Sequence, residues 1–129
     1  MLLIDTSAWI EYFNRPNSSI AQKVDLALEK DTVLIGDLIF CEFLQGIRHE
    51  KDFLKTAAYF NALQKVSLGG FELARASAQN YRVLRKRGLT VRKTIDVLIG
   101  TYCILEQIPL LHCDRDFKPM ALYLGLKEA

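Results

Sequence analysis

Residues 1 to 13 read MLLIDTSAWIEYF, and this stretch decides the fold. The apolar run at residues 2 to 4 is typical of a short buried strand, and a helix is predicted directly after it, over residues 7 to 13. Asp5 stands where that strand would end. A carboxylate in this position either caps the helix or belongs to a polar site at the edge of a sheet.

Further short apolar runs alternate with helical patterns along the chain. Strands are predicted at 32–36, 65–68 and 108–112, and helices at 19–30, 37–47, 52–64, 71–88, 94–107 and 119–124. Such alternation is typical of a parallel sheet with helices on both faces. The predicted fold class is therefore α/β. With 129 residues and no linker or repeat, the chain is predicted to form a single domain over 1–129.

Composition excludes some classes of protein and favours one compartment. The net charge of +2 is too small to indicate nucleic-acid binding by itself. The longest apolar stretch, VLIGTYCIL, is far short of the roughly 20 residues of a membrane span, and no signal peptide is recognisable. Three widely spaced cysteines among apolar neighbours, Cys41, Cys103 and Cys113, are interpreted as small buried hydrophobes. A reducing cytoplasm is the predicted location.

Acidic residues recur where the fold would bring them together. Asp5 follows the first predicted strand, and Asp114 and Asp116 follow the last, so all three are expected at one edge of the sheet. Asp96 lies in the first turn of the most apolar helix, and Glu42 lies on the flank of another helix. A buried carboxylate without a partner costs several kcal/mol or becomes neutral, so Asp96 in particular needs an explanation.

Each acidic residue also has a structural interpretation. Asp5 could cap a helix, and Asp96 could interact with the helix dipole. Glu42 could lie on a solvated helix face. Turn formation would explain the two later aspartates. Four carboxylates converging within about 4–5 Å would, however, repel one another by a few kcal/mol per pair, which a cation would relieve. Ligands that are all oxygen favour Mg²⁺ or Mn²⁺ over zinc, and the chemistry of such ions indicates phosphodiester hydrolysis.

The order of three segments resembles a known family. With LLIDTSAWIEYF at the start, GDLIFCEFLQGI in the second quarter and TIDVLIGTYCILEQIPLLHCDRDFKPMA near the end, the sequence resembles PIN-domain proteins, most closely the VapC toxins of toxin–antitoxin pairs. The resemblance covers the whole chain. It implies a Rossmann-like three-layer α/β/α domain with a mainly parallel sheet of about five strands. It also implies an endoribonuclease that depends on Mg²⁺, with Mn²⁺ as a substitute.

By position, the resemblance also implies roles for individual residues. The catalytic acidic quartet is Asp5, Glu42, Asp96 and Asp114, and the metal ligands are Asp5, Asp96, Asp114 and, as a further candidate, Asp116. Thr6 and Ser7 would support the site by hydrogen bonding. Where the family often has a more polar residue before the paired acids, this chain has Cys113, so which of the two following aspartates contacts metal stays open. Hydrolysis would leave a 5′-phosphate and a 3′-hydroxyl.

Basic residues beside the acidic site are candidates for RNA binding. Arg92 and Lys93 precede Asp96, and Arg115 separates the two late aspartates. Contacts to RNA phosphates are one interpretation; helix capping, a solvated surface or local charge balance is the other. The two histidines, His49 and His112, are interpreted as structural, because neither has a companion histidine nearby in the sequence.

Partners and rival functions complete the hypotheses. Trp9, Tyr12 and Phe13 have helical spacing, typical of core, but any exposed part would suit an amphipathic segment of a partner. The resemblance implies an antitoxin and a homodimer. Alternatives are a PIN-type RNA-processing nuclease that is not a toxin, a non-catalytic binding module, which would have a gap in the acidic set, and a phosphoacceptor receiver domain. The receiver is disfavoured because the first strand is not followed by paired acids.

Overall fold

The computed structural model describes residues 1–129 and has an all-parallel sheet at its centre. The four strands are β1 (Leu2–Ile4), β2 (Val33–Gly36), β3 (Gln64–Val66) and β4 (Leu110–Leu111), in the order β3-β2-β1-β4. Each predicted strand is present, which confirms the α/β class. The expected count of about five was slightly too high. Beyond β4 the chain adds only an isolated bridge between Leu110 and Glu128, which is too short to form a further strand.

Seven helices accompany the sheet, each near a predicted position. They are α1 (Thr6–Asn14), α2 (Ser19–Glu29), α3 (Asp37–Gln45), α4 (Glu50–Asn61), α5 (Phe71–Lys86), α6 (Thr94–Glu106) and α7 (Lys118–Tyr123), with a 3₁₀ turn at Arg115–Phe117. Consecutive helices pack in pairs, α1 on α2, α3 on α4 and α5 on α6. None of them has the length and apolar character needed to cross a bilayer.

The core lies around the sheet. Leu3 and Ile4 of β1 are fully buried, as are Leu110 and Leu111 of β4. Strands buried on both faces read as continuous apolar runs, which is why these short segments have no alternating polar residues. Helix α6 is buried along much of its length, from Asp96 to Cys103. The most apolar helix of the chain therefore lies inside the fold and carries Asp96 with it.

The interpretation of the cysteines was wrong for two of the three. Cys103 is buried in α6, whereas Cys41 and Cys113 are exposed, and all three thiols are free. Cys41 lies on the solvent side of α3, whose apolar neighbours face inward, and Cys113 lies in the loop after β4. Apolar neighbours in sequence do not imply burial, because adjacent helical residues point in directions about 100° apart.

Pairing between β1 and β4 fixes the location of the acidic residues. The Asp5 N–H donates to the carbonyl oxygen of Leu111 at 2.9 Å, so the pairing continues to the last residue of each strand. Because the strands are parallel, the segments that follow them leave the sheet at the same edge. The start of α1 and the loop at residues 112–114 are consequently neighbours.

Candidate active site

Three carboxylates meet at this edge of the sheet. Oxygens of Asp96, Asp114 and Asp116 all lie within 4.8 Å of one another. Asp96 comes from the first turn of α6, while the other two come from the segment after β4. Three of the sequence-predicted acidic residues are thus brought together from α6 and from the segment after the next strand, β4. Asp5 and Glu42 are not members of this group of three.

The segment after β4 is held in shape by its own backbone. Oδ1 of Asp114 accepts a hydrogen bond from the Asp116 N–H at 2.9 Å and so caps the 3₁₀ turn. The Asp114 N–H in turn donates to Nδ1 of His112 at 3.1 Å. Asp114 therefore forms the turn that its structural interpretation predicted. This role is compatible with a role in the acidic site. One oxygen of Asp114 is used by the turn, and its other oxygen makes no such bond.

Asp96 is a buried carboxylate in an environment that disfavours its charge. It is 4% exposed, and its Oδ2 has no hydrogen-bond partner. Burial, together with the negative charges of Asp5, Asp114 and Glu42, raises the pKa of Asp96 to about 7, while Lys93 opposes this change. Asp5 and Glu42 are therefore close enough to Asp96 for their charges to act on it.

Asp5 both caps α1 and lines the acidic region. Its Oδ2 accepts hydrogen bonds from the Ser7 N–H at 3.0 Å and from the Ser7 Oγ at 2.6 Å, whereas its buried Oδ1 has no partner. Burial raises the pKa of Asp5, against the lowering effect of the bonds from Ser7. The Ser7 Oγ also accepts from the Cys113 N–H at 3.0 Å. Ser7 therefore ties the start of α1 to the loop that carries Asp114.

Glu42 is held at the side of the site by the start of α1. The Thr6 Oγ1 donates to Oε1 of Glu42 at 2.9 Å, and the Glu42 side chain is half-buried. Thr6 thus donates a hydrogen bond to Glu42, and Ser7 donates one to Asp5. Such contacts are those expected of residues that support the site. The non-catalytic alternative predicted a missing acid, and the structure has no such gap among the five acidic residues.

Cations flank the carboxylates on the solvent side. Arg92 Nη2 lies 3.4 Å from Oδ2 of Asp116, and the arginine side chain is 74% exposed. Lys93 immediately precedes α6 and is exposed, and Arg115 is exposed within the 3₁₀ turn. None of these three side chains is buried in a structural ion pair, so their charges remain accessible to a ligand.

One part of the site had no recognisable signal in the sequence. His112 Nε2 pairs with Oε2 of Glu128 at 2.6 Å, and Lys118 Nζ contacts the same carboxylate at 3.0 Å. Because Nδ1 of His112 accepts from the Asp114 N–H, the proton of a neutral ring is on Nε2 and is donated to Glu128. Glu128 lies 16 residues after His112, at no spacing that predicts contact. The other histidine, His49, is exposed before α4.

The donor set fits a divalent metal ion. Asp96 and Asp5 each have a buried carboxylate oxygen without a partner, and two further carboxylates lie beside Asp96. Buried polar atoms are rarely left unpaired, and a hard cation is the partner that carboxylate oxygens take most readily. The sequence offers no cysteine or histidine within the group of three, which is why zinc fits less well than Mg²⁺ or Mn²⁺.

Comparison with known protein families supports the resemblance identified in the sequence. A family model described as "PIN domain" matches residues 2–122. The chain is 33% identical over 131 residues to a VapC ribonuclease of Mycobacterium bovis and to ribonuclease VapC11 of Mycobacterium tuberculosis, covering 100% of this chain and 98% of each relative. These values confirm the resemblance seen in the sequence and are against a receiver domain.

Solved structures give the same fold. The VapBC2 complex of Rickettsia felis, solved with a promoter DNA fragment, contains a chain with a TM-score of 0.78 at 16% identity, covering 99% of this chain and 96% of that one. A DNA-bound VapBC of Salmonella typhimurium has a TM-score of 0.75 at 14% identity, with coverage of 99% and 96%. A toxin–antitoxin complex of Klebsiella pneumoniae has a TM-score of 0.69 at 18% identity, with coverage of 98% and 95%.

Proposed function

The chain belongs to the PIN-domain family, and we propose that it is an endoribonuclease that hydrolyses RNA with Mg²⁺ at the acidic site, with Mn²⁺ as a substitute. The observation that carries the proposal is the convergence of Asp96, Asp114 and Asp116, with carboxylate oxygens within 4.8 Å of one another. The 33% identical relatives named ribonucleases support the same activity. Residues 1–129 would act as one PIN domain, since the family match extends over 2–122.

The metal ligands in this proposal are Asp96, Asp114 and Asp116, with Asp5 as a fourth carboxylate through its unpaired Oδ1. The chemistry that a divalent cation supplies at such a site is Lewis-acid activation of phosphate and water. Glu42, held by Thr6, remains available at the side to accept a proton or to orient a water molecule. Ser7 keeps Asp5 and the Asp114 loop in register through its two-sided hydrogen bonding.

The exposed cations would bind the RNA backbone. Arg92, Lys93 and Arg115 surround the acidic group, and phosphate contacts of this kind orient a strand without selecting its sequence. Arg92 has a second role in this proposal. Its weak contact to Asp116 at 3.4 Å offsets negative charge in the free protein and can be exchanged for a phosphate when RNA binds.

We further propose that the protein is the toxin of a toxin–antitoxin pair in the cytoplasm and forms a homodimer. The similar solved chains come from VapBC and other toxin–antitoxin complexes, which supports an antitoxin partner. Trp9 is buried as predicted for core, while Phe13 is 45% exposed next to Tyr59, with ring centroids 6.0 Å apart. This exposed aromatic surface supports an amphipathic partner segment. The exposed free thiols of Cys41 and Cys113 are compatible with a reducing compartment.

The activity is tested with purified protein and a mixed pool of cellular RNA. Cleavage is measured with Mg²⁺, with Mn²⁺ and with EDTA, and with the Asp96→Asn and Asp5→Asn variants, each checked for folding by circular dichroism. The proposal predicts 5′-phosphate products that require metal and are lost in Asp96→Asn. Cleavage that continues in EDTA would contradict the metal mechanism. Absence of cleavage with every metal, while antitoxin binding is retained, would favour a non-catalytic binding module.

A further inference from the structure

We infer that a cavity of about 340 Å³ beside Asp116 is a subsite for one nucleobase of the RNA strand, next to the phosphate at the acidic site. This inference rests on the proposed nuclease function and adds residues to it. The cavity lies between α7 and the segment before α6, with Leu89, Leu122 and Tyr123 among its apolar lining. No role for these three residues follows from the acidic site alone.

The position of the cavity links it to the reaction. Asp116 contributes both to the wall of the cavity and to the group of three carboxylates. A strand whose phosphate lies at those carboxylates therefore has a neighbouring nucleotide at the mouth of the cavity. By contrast, a larger cavity of about 480 Å³ between α5 and α6 includes none of the acidic site residues.

The apolar wall has the chemistry that a nucleobase requires. The side chains of Leu122 and Tyr123 are 74% and 46% exposed, although both are large and hydrophobic. The Arg87 guanidinium lies 4.5 Å from the centroid of the Tyr123 ring and steadies it. Bases that have left a stack bind to aromatic and apolar side chains in this way, with little dependence on base identity. The volume accommodates a base with its ribose, since small-ligand sites begin at about 300 Å³.

Two basic residues at the rim of the cavity are placed to contact the phosphate that follows the base. Arg115 and Lys118 line this cavity and also line a second one of about 300 Å³ that includes Asp114. They therefore form a ridge between the two cavities, along the path of a strand that crosses the carboxylates. The second cavity contains Glu128 and no tyrosine or phenylalanine, so the first is the better site for a base. Lys118 contacts Glu128 at 3.0 Å but stays 59% exposed, which leaves it free to exchange partners.

The test compares two leucines with similar exposure. Leu122→Glu places a negative charge in the cavity, and Leu54→Glu places the same charge on α4, where Leu54 is 60% exposed. Both are combined with Asp96→Asn to prevent cleavage, and binding of a fluorescent single-stranded RNA is followed by anisotropy. We expect Leu122→Glu to weaken binding by about tenfold, the effect of losing one stacked base, and Leu54→Glu to change it by less than about twofold. Equal affinities would overturn the inference.

A second pair of variants separates stacking from charge. Tyr123→Ala removes the aromatic ring from the cavity wall, and Phe71→Ala removes an exposed aromatic ring from the start of α5. On the active chain, Tyr123→Ala should raise KM several-fold and leave kcat within about twofold, because the lost contact is to a part of the substrate that does not react. A normal KM in Tyr123→Ala would overturn the stacking role.

The inference and the nuclease proposal fail in different ways. If the wild-type chain cleaves RNA but the Leu122 and Tyr123 variants behave like their controls, only the subsite is wrong. If the wild-type chain neither cleaves nor binds RNA, the nuclease proposal is wrong and the subsite is wrong with it. As a direct check on the unmodified chain, AMP should shift the amide resonances of Leu122 and Tyr123 more than ribose 5-phosphate does. Equal shifts would mean that no base is bound there.

Discussion

Asp96 and Glu128 are both carboxylates near the loop that follows β4, but their surroundings are opposite. Glu128 is paired with His112 and Lys118 at 2.6 and 3.0 Å. Burial alone would raise the pKa of Glu128, but these hydrogen bonds and charges lower it overall. Asp96 is surrounded by other acids, and burial together with their charges raises its pKa to about 7. The charge of Glu128 is balanced within the chain, whereas the charges around Asp96 are the kind that a bound cation would balance.

The largest expected effect of this difference is on activity. Asp96→Asn should lower the rate of RNA cleavage by about 10²–10³-fold, because it removes a ligand of the proposed metal ion, which would stabilise negative charge at the reacting phosphate. Glu128→Gln is the matched control, since it also neutralises one carboxylate, and its effect should stay below about tenfold. Initial rates at saturating Mg²⁺ measure both. Similar losses in the two variants would mean that the regions do not differ as described.

The next effect is on stability in the presence of metal. Mg²⁺ should raise the unfolding free energy by about 2.7 kcal/mol when its concentration is 100 times its dissociation constant, since only the folded chain has the acidic site. Thermal unfolding is compared in MgCl₂ and in NaCl of equal ionic strength. The stabilisation should be absent in Asp96→Asn and retained in Glu128→Gln. Equal stabilisation of all three proteins would indicate a general salt effect.

The dependence of stability on pH should have opposite signs in the two regions. Folding raises the pKa of Asp96 from 3.8 to about 7, so the folded chain binds the extra proton within that range. The unfolding free energy of the metal-free protein should therefore fall as the pH rises from about 4 to about 7. For Glu128, whose pKa is lowered from 4.5, the stabilisation is lost as the pH falls below that value.

Chemical denaturation at several pH values, in EDTA, measures these slopes. Asp96→Asn should flatten the decrease between pH 5 and 7, and its metal-free form should be more stable than the wild type at pH 8 by about 1–3 kcal/mol, because the amide carries no buried charge for the neighbouring acids to repel. Glu128→Gln should keep the wild-type slope in that range. A decrease that persists unchanged in Asp96→Asn would assign it to another group.

The smallest effect concerns the serine that connects the site to the sheet. Ser7→Ala removes the hydroxyl that donates to Asp5 at 2.6 Å and accepts from Cys113 at 3.0 Å. We expect a loss of about 1 kcal/mol in unfolding free energy and about tenfold in cleavage rate. Ser19→Ala, at an exposed position at the start of α2, is the control and should change neither value. An inactive Ser7→Ala variant that binds metal normally would give Ser7 a direct role.

Much of the fold could be predicted because its signals are local. The apolar runs gave all four strands, and the helical spacing of apolar residues gave all seven helices to within a few residues. The acidic group was predictable for a related reason. Parallel strands bring the residues that follow them to one edge, so the sequence alone predicts Asp5 and Asp114 at the same edge of the sheet.

The remaining features depend on contacts that no local pattern encodes. The pairing of His112 with Glu128 joins residues 16 apart in a segment without regular periodicity. The exposure of Cys41 depends on which side of α3 faces the sheet, and a one-residue difference on a helix changes that. The cavity at Leu122 and Tyr123 exists because α7 packs beside the segment before α6, which is a tertiary arrangement. Sequence reasoning therefore located the acids but not the surface around them.

Direct titration of Mn²⁺ into the metal-free protein, followed by the EPR signal of the free ion, tests the central claim most directly. The wild-type chain should bind at least one Mn²⁺ per molecule, and Mg²⁺ should displace it. In Asp96→Asn the affinity should fall by at least about tenfold, and in Glu128→Gln it should be unchanged within about twofold. Equal Mn²⁺ affinity in the wild type and Asp96→Asn would contradict the assignment of the acidic group as a metal site.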